Sequence, residues 1–350
     1  MTTANTGRPV LIEGDGVAAV CCARLLTDAA VPCVLAKTVR PKLAAVLLGE
    51  QTQRLLRELF PARDGDDDLF AGFASISRRI VRWGPAAQAV DLPHLGVVVP
   101  EEELLRRLWK RVADLPLAAA EHDGWSIFSS RGSVRDAVEF SCGSRQAFIT
   151  PVELVSNAEK EACWVESVSG GWLFLLSLGE GCASLICVGE TVDRALNEST
   201  VVAPRILTRP AEGVRAAAYP RILQPLAAPN WLACGTAAMS FDPLCGEGTG
   251  NAVREAFLAA AVVRAALAGH HAGALAAHYT SRLQQGFLRH LHICHQFYSS
   301  GGHGEFWDRE STTLQNSIRE LESQSQNQLA ARYRLIERSL VAIPDQTNTL

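Results

Sequence analysis

Residues 231–256, WLACGTAAMSFDPLCGEGTGNAVREA, decide the fold of this chain. They begin with an apolar run typical of a buried strand, pass through glycines at 246, 248 and 250, and continue as an alanine-rich helical pattern to about Leu267. A strand, a glycine loop and a helix in this order direct backbone N–H groups and the positive end of a helix towards an anion. The glycines let a flat or charged ligand approach the backbone, because no Cβ intervenes.

A second arrangement of this kind lies near the N-terminus. Pro9 to Glu13 predicts a short strand, and a helical pattern runs from the following glycines to Leu26. Gly-x-Gly-x-x-Ala between a strand and a helix is the dinucleotide-binding fingerprint, although an ordinary strand–helix turn is the alternative. The first glycine permits the tight turn, the second the approach of a pyrophosphate, and the alanine close helix–strand packing. We therefore assign six residues to cofactor binding: Gly14, Asp15, Gly16, Val17, Ala18 and Ala19.

The second predicted strand, Val31 to Leu35, lacks the acidic residue that usually follows it in this fingerprint. Ala36 and Lys37 stand there instead. Lys37 either donates a hydrogen bond to a ribose or phosphate oxygen or is a solvated strand end, and the sequence leaves both interpretations open.

Composition narrows the functional classes. With 350 residues, 48% hydrophobic and 20% charged, the chain suits one large globular domain or two intimate ones. A net charge of −4 gives no indication of a nucleic-acid partner. No run of about 18 apolar residues predicts a membrane span, and the N-terminus lacks the apolar core of a secretory signal, so we expect a cytoplasmic protein.

The cysteines and histidines do not predict a metal site. The chain has 10 cysteines but no Cys-x-x-Cys pair, which favours buried thiols in a reducing cytoplasm. His290, Cys294 and His295 lie close together on a predicted helix, but no His-Glu-x-x-His order accompanies them. We therefore expect no metal.

The two glycine motifs, in this order and separation, resemble those of FAD-dependent monooxygenases and tryptophan-halogenase-like flavoproteins. In those families a Gly-Asp-Ala-Ala strand end meets the ribityl chain, and a Pro-x-x-Gly-x-Gly loop covers the isoalloxazine edge. The resemblance covers residues 9–60 and 231–310 well and the middle loosely. It implies FAD as the cofactor, bound by Thr236, Asp242, Pro243, Gly246, Gly248, Thr249, Gly250 and Asn251.

One segment between the two motifs also resembles the family. Gly49-Glu50-Gln51-Thr52 is similar to a Gly-Glu-(Ala/Ser)-Thr segment of halogenase-like flavoproteins and would lie near the flavin. Glu50 is equally well explained as a carboxylate that stabilises the start of a helix.

Other positions depart from the family. Glu101 stands where flavin hydroxylases begin a helix with a cofactor-binding arginine. Cys142-Gly143 lacks the aspartate used by hydroxylases in FAD and NADPH binding, so we expect electrons to come from a separate flavin reductase. No lysine occurs between Lys42 and Lys110, where tryptophan halogenases carry their active-site lysine, and halogenation by that route is not expected.

The rest of the chain predicts strands and helices around these motifs. We expect a strand at 73–83, a helix at 101–112, two or three antiparallel strands within 125–149, three strands within 161–190, and helices at 274–298 and 311–340. Trp164 and Trp172 could contact an aromatic substrate, but the strand pattern favours the sheet core.

Together these features predict an α/β FAD-binding Rossmann-like domain of the glutathione-reductase type, with an inserted antiparallel β-sheet substrate domain and a helical C-terminus. The predicted segments are FAD-binding at 8–72, 100–150 and 226–270, substrate-binding at 73–99 and 151–225, and helical at 271–350.

The predicted function is that of an FAD-dependent monooxygenase that oxidises an aromatic or other electron-rich substrate, small or peptide-borne, with reduced flavin and O₂. Alternatives are a flavin-dependent dehydrogenase or reductase of the same fold, and a degenerate flavoprotein that acts as a non-catalytic binding or maturation factor.

Restoring the family's acid provides a first test. Thr236→Asp should tighten FAD binding, because a carboxylate accepts stronger hydrogen bonds from ribityl hydroxyls than a threonine hydroxyl does. Titration of FAD into both proteins, followed by visible absorbance, measures the change. An unchanged affinity would mean that position 236 does not face the ribityl chain.

Overall fold

The computed structural model describes residues 8–38, 40–62, 67–118, 122–134, 136–156, 158–208, 210, 212–246, 248–325 and 333–343. The helices are α1 (Val17–Asp28), α2 (Glu50–Leu59), α3 (Glu101–Lys110), α4 (Val192–Glu198), α5 (Gly248–Leu267), α6 (Ala272–Ser300) and α7 (Glu305–Ser325). Two short 3₁₀ turns cover Ala203–Arg205 and Pro243–Cys245.

The strands are β1 (Val10–Glu13), β2 (Cys33–Ala36), β3 (Val46–Gly49), β4 (Ala74–Arg82), β5 (Val90–Val99), β6 (Ser126–Phe128), β7 (Val138–Ser141), β8 (Gln146–Glu153), β9 (Ala162–Val168), β10 (Gly171–Gly179), β11 (Cys182–Val188), β12 (Val214–Ala217), β13 (Arg221–Gln224), β14 (Ala227–Ala228), β15 (Trp231–Ala233), β16 (Met239–Ser240), β17 (Tyr333–Ile336) and β18 (Ser339–Ala342).

A five-stranded sheet carries both glycine motifs at the ends of its strands. Its order is β14-β15-β6-β1-β2, and β15, β6, β1 and β2 are parallel. Helices α1 and α5 pack against each other beside this sheet. The expectation that all strands within 125–149 are antiparallel was wrong for β6, whose buried Ile127 lies between β1 and β15.

An eight-stranded sheet forms the second layer, in the order β12-β8-β11-β10-β9-β4-β5-β3. Its pairs are antiparallel except β4 with β9. The three strands expected within 161–190 are confirmed as β9, β10 and β11. Trp164 and Trp172 are 0% and 1% exposed, which confirms their assignment to the sheet core. The domain boundaries given above remain a prediction.

The C-terminal helices α6 and α7 pack together around aromatic side chains. Ring centroids of Tyr298, Phe306 and Trp307 lie 5.2–6.2 Å apart, and a Cβ on Gly301 would lie 2.2 Å from the Trp307 ring. Among the helices within the described ranges, none has the length and apolar character that a membrane crossing requires. The cytoplasmic location stays a prediction.

The helix expected at 311–340 was wrong in its second half. Helix α7 ends at Ser325, and β17 and β18 form a hairpin. The two residues between these strands, Glu337 and Arg338, have φ values of 45° and 70°. Positive φ at both central residues is the geometry of a two-residue hairpin turn, which a helix cannot accommodate.

A buried ionic network joins the eight-stranded sheet and the glycine loop to the C-terminal helices. Arg145, at the start of β8, donates to Asp242 at 2.8 Å and to Glu310 of α7 at 2.6 Å. Tyr298 of α6 donates to the same Asp242 carboxylate at 3.0 Å, and Trp172 of β10 donates to the Tyr298 hydroxyl at 3.1 Å. Burial acts to lower the pKa of Arg145, but Tyr298, Asp242 and Glu310 together raise it, so the guanidinium stays charged.

Removal of the central cation should therefore destabilise the fold strongly. Arg145→Ala leaves two buried carboxylates without their partner, which we expect to lower the free energy of unfolding by about 3–5 kcal/mol. Urea denaturation followed by circular dichroism measures the loss. The matched control Arg106→Ala breaks an exposed pair with Glu103 and should leave stability almost unchanged. Equal stability of both variants would show that the buried network is not what holds these elements together.

Candidate cofactor site

The first turn of α1 forms one end of the site. Gly14 has a φ of +131°, and a Cβ there would lie 2.1 Å from the Ser129 hydroxyl, so no other residue fits. Gly16 precedes the helix, no side chain caps the helix start, and its first turn carries no acidic residue. The first N–H groups, from Val17 to Ala19, have no partner within the helix because of their position. This helix start is suited to an anion.

Arg40 supplies a positive charge at this helix start. Its guanidinium lies 3.2 Å from the point where a Cβ of Gly16 would be. Glu101, 7% exposed, binds the Arg40 guanidinium with both carboxylate oxygens and also accepts the Leu43 N–H at 2.8 Å. Hydrogen bonding to Glu101 raises the pKa of Arg40. Glu101, a departure from the family at its own position, thus holds an arginine from another segment beside Gly16.

Asp15 lies next to this arginine, and its charge is balanced. Its carboxylate contacts Lys42 Nζ at 2.5 Å, and its backbone carbonyl accepts the Trp109 indole N–H at 3.1 Å. The Asp15 Oδ1 atom is buried and accepts no hydrogen bond from any described residue. Lys37 is exposed at the end of β2, and both interpretations of this residue remain open.

The end of β15 contacts α1 directly. Gly235 has a φ of 56°, and a Cβ there would lie 2.6 Å from that of Ala18, so the two glycine motifs meet without space for a side chain. Thr236 is exposed, and its hydroxyl donates to the Ser129 carbonyl at 3.1 Å, which leaves the hydroxyl oxygen free to accept. Buried Arg221 donates to the Thr236 carbonyl. Thr236 and Gly14 thus both lie against Ser129.

The next segment of the candidate site is the loop from Asp242 to Asn251. Gly246 has a φ of 62° after the 3₁₀ turn that includes Pro243, and Gly248 and Thr249 begin α5. A Cβ on Gly250 would lie 2.6 Å from the Thr52 hydroxyl, so α5 starts against the start of α2.

Arg254 links these two helix starts through hydrogen bonds of 3.0 Å to Asn251 and to Gln51. The segment 49–52 is therefore next to the glycine loop, and its position near a flavin remains a prediction.

Asp242 has a different role from the one the resemblance implied. It is 1% exposed, and its carboxylate is occupied by Arg145, Tyr298 and the Leu244 N–H. In the described structure the Asp242 side chain points into the protein interior and fixes the loop there. It does not face a bound cofactor. Its location could not be read from the sequence, since Arg145 lies 97 residues away.

Glu255 on α5 fixes the end of β15 through a hydrogen bond. Its Oε2 accepts the Gly235 N–H at 2.6 Å, and its Oε1 is buried without a hydrogen-bond partner among the described residues. Burial raises the pKa of Glu255 to about 8, although the Gly235 hydrogen bond acts in the other direction. This acid is thus largely neutral at pH 7 and was missed in the sequence, where it stands in an ordinary helical pattern.

A cavity of about 1000 Å³ opens beside the glycine loop. Leu244, Cys245 and Asn251 of the loop region form one wall, and α6 and the β17–β18 hairpin contribute to the others. Arginines are frequent in its lining: Arg79, Arg254, Arg282, Arg289 and Arg334. Within the described part of the chain, neither Arg282 nor Arg289 forms an ion pair with an acidic residue. The described lining of the cavity thus contains five arginines and one carboxylic acid, Glu255.

Cys245 is a thiol of this cavity whose pKa is lowered. The hydrogen bond from Cys294 and the neighbouring His290 lower the pKa of Cys245 to about 6, against the effect of burial. A thiol with a pKa in this range is substantially ionised at pH 7.

Taken together, a parallel sheet with two glycine motifs, a second antiparallel sheet and C-terminal helices define the FAD-binding α/β fold of flavin-dependent monooxygenases and halogenases. The predicted fold class is confirmed. No protein-family model and no curated protein matches the sequence.

Solved structures match almost the whole chain at low identity. The peptidyl tryptophan dihydroxylase QhpG has 16% identity and a TM-score of 0.71 over 96% of this chain and 86% of its own. The flavin-dependent brominase Bmp2 has 15% identity and a TM-score of 0.69, with 93% and 96% covered. A HpxO variant from Klebsiella pneumoniae, complexed with FAD, has 14% identity and a TM-score of 0.61, with 91% and 98% covered.

The buried acid below Gly235 predicts a pH dependence of stability. The pKa of Glu255 rises from 4.5 to about 8 on folding, so the folded state holds the proton more tightly. The contribution of Glu255 to the free energy of unfolding is complete below pH 4.5. As the pH rises from 4.5 to about 8, this contribution is lost by up to about 1.4 kcal/mol per pH unit.

Glu255→Gln removes this titration. The free energy of unfolding of the variant, relative to the parent, should increase between pH 5 and 8 in urea titrations. Glu58→Gln, at an exposed position, is the control and should follow the parent. Parallel curves for parent and Glu255→Gln would contradict the assignment of a neutral buried acid.

Proposed function

We propose that the protein is an FAD-dependent oxidoreductase, a monooxygenase of the halogenase-like group that oxidises an aromatic or other electron-rich substrate with reduced flavin and O₂. The observation that carries this proposal is the direct contact of the two glycine motifs at Gly235 and Ala18. In this proposal, one groove runs from the start of α1 past Gly235 to the loop beside the cavity.

The groove residues fit FAD. The N–H groups of Val17 to Ala19 and the guanidinium of Arg40 would bind the pyrophosphate, because they combine a positive helix end with a cation. Thr236 would bind the ribityl chain, and the backbone from Pro243 to Asn251 would cover the ring edge.

Bound FAD supplies the redox chemistry, and the protein positions it and its substrate. The arginine-rich cavity beside Leu244 and Asn251 is large enough for a small aromatic compound or a peptide side chain. Its arginines would orient an acidic group on the substrate. The flavin-dependent brominase and the tryptophan dihydroxylase among the structural neighbours support an electron-rich aromatic substrate.

The electron donor is proposed to be a separate flavin reductase. Cys142 is fully buried and Gly143 packs close to Arg145 and Glu310. This turn therefore offers no carboxylate for a bound nicotinamide nucleotide, which supports delivery of reduced flavin by a partner.

Anaerobic reduction of bound FAD, followed by addition of ¹⁸O₂ and a panel of indoles, phenols and tryptophan peptides, tests the function. A monooxygenase transfers one ¹⁸O atom to the product, which mass spectrometry detects. A product that has lost two hydrogens without gaining ¹⁸O would instead indicate a dehydrogenase. Failure to bind flavin at all would exclude both enzyme functions.

Arg40→Ala tests the site within the same proposal. Hydrogen bonds to charged groups contribute about 1.5–3 kcal/mol, so FAD affinity should fall roughly tenfold or more in an absorbance titration. Arg106→Ala, an exposed cation on α3, should bind FAD as the parent does. Equal affinity of Arg40→Ala and the parent would remove Arg40 from the cofactor site.

A further inference from the structure

Three side chains with metal-binding atoms converge between the glycine loop and α6. Cys245 ends the 3₁₀ turn Pro243–Cys245, and His290 and Cys294 lie one turn apart on α6. The two sulfur atoms are 3.7 Å apart, and the Cys294 sulfur lies 3.2 Å from His290 Nε2. All three ligand atoms lie within 4.8 Å of one another.

These separations approach those of a tetrahedral metal site. With Zn–S bonds of about 2.3 Å and a Zn–N bond of about 2.0 Å, tetrahedral angles place two sulfurs about 3.8 Å apart and a sulfur and a nitrogen about 3.5 Å apart. The third separation, between the Cys245 sulfur and the His290 nitrogen, is at most 4.8 Å. A shift of the Cys245 side chain by about 1 Å would therefore complete the geometry.

The chemistry of the three ligands selects the ion. Two thiolates and one imidazole favour Zn²⁺ and disfavour Mg²⁺ and Ca²⁺, which prefer oxygen. His290 Nε2 already accepts the Asp242 N–H at 3.0 Å, so this nitrogen is unprotonated, as metal binding requires. The ion would replace this hydrogen bond.

The surroundings leave room for a fourth ligand. Cys245 and His290 both line the cavity, while Cys294 is fully buried behind them. When a metal ion has three protein ligands, its fourth coordination position can hold water or a substrate atom from the cavity.

We propose that Cys245, His290 and Cys294 form a zinc-binding site whose fourth position opens into the cavity. The ion ties the glycine loop to α6 and so fixes the loop on which the flavin edge would rest. The linear spacing did not reveal this site, because Cys245 lies 45 residues before His290 and only folding brings them together. The site does not depend on the proposed oxidation chemistry.

A cobalt titration tests the proposal without flavin. The full chain, reduced and stripped of metal under nitrogen, should take up one Co²⁺ and develop thiolate-to-cobalt charge-transfer absorption together with the visible bands of tetrahedral cobalt. Added Zn²⁺ should abolish both. No absorption change, or binding of several ions without these bands, would overturn the site.

Variants assign the ligands. Cys245→Ser, Cys294→Ser and His290→Ala should each weaken Co²⁺ binding by more than the roughly 10–100-fold typical of lost supporting residues. Cys182→Ser removes an exposed thiol and should bind Co²⁺ as the parent does. Retention of the cobalt spectrum in Cys245→Ser would contradict the proposal.

A measurement on the unaltered chain guards against misfolded variants. Zn²⁺ should protect Cys245, but not the exposed Cys182, from alkylation by iodoacetamide, as read by peptide mass spectrometry. A Cys245–Cys294 disulfide that forms in air, combined with no zinc protection after reduction, would identify a redox pair and overturn the metal site.

Discussion

The buried ion pair between Arg145 and Asp242 organises the rest of the structure. Both side chains are inaccessible to solvent, and Glu310 balances the second half of the guanidinium. Because a buried charge without a partner costs several kcal/mol, the strand that carries Arg145, the loop that carries Asp242 and helix α7 must stay together. The glycine loop is thus fixed from inside by the Asp242 carboxylate, which also accepts the Leu244 N–H.

The contacts in the candidate site explain two departures from the flavoprotein pattern, at Glu101 and at Thr236. Glu101 does not contribute a cation, but it holds Arg40 next to Gly16, so the positive charge at the start of α1 comes from a different segment. Thr236 lacks a carboxylate, yet the strand end remains positioned by Glu255 through the Gly235 N–H. A positive charge beside Gly16 and a fixed strand end at Gly235 are thus both present, although the residues that provide them differ from the family pattern.

The sequence was sufficient for features that depend on local patterns. Both strand–glycine–helix units, the strands β9 to β11 and the core position of Trp172 follow from periodicity and from the conformational freedom of glycine.

Features that depend on distant contacts were not accessible to sequence reasoning. The parallel pairing of β6 requires partners that lie about 100 residues before and after it in the chain. The inward orientation of Asp242 requires Arg145. The hairpin after α7 was taken for helix because a polar segment with spaced apolar residues suits either structure until the turn at Glu337 and Arg338 is known.

The central claim is that one groove, from the start of α1 to the loop before α5, holds FAD. A crystal structure of the protein soaked with FAD tests it most directly. We predict density for the pyrophosphate at the N–H groups of Val17 to Ala19 within hydrogen-bond distance of Arg40, and for the ring system beside residues 243–251. FAD bound elsewhere, or a groove that stays closed to FAD at saturating concentration, would contradict the account.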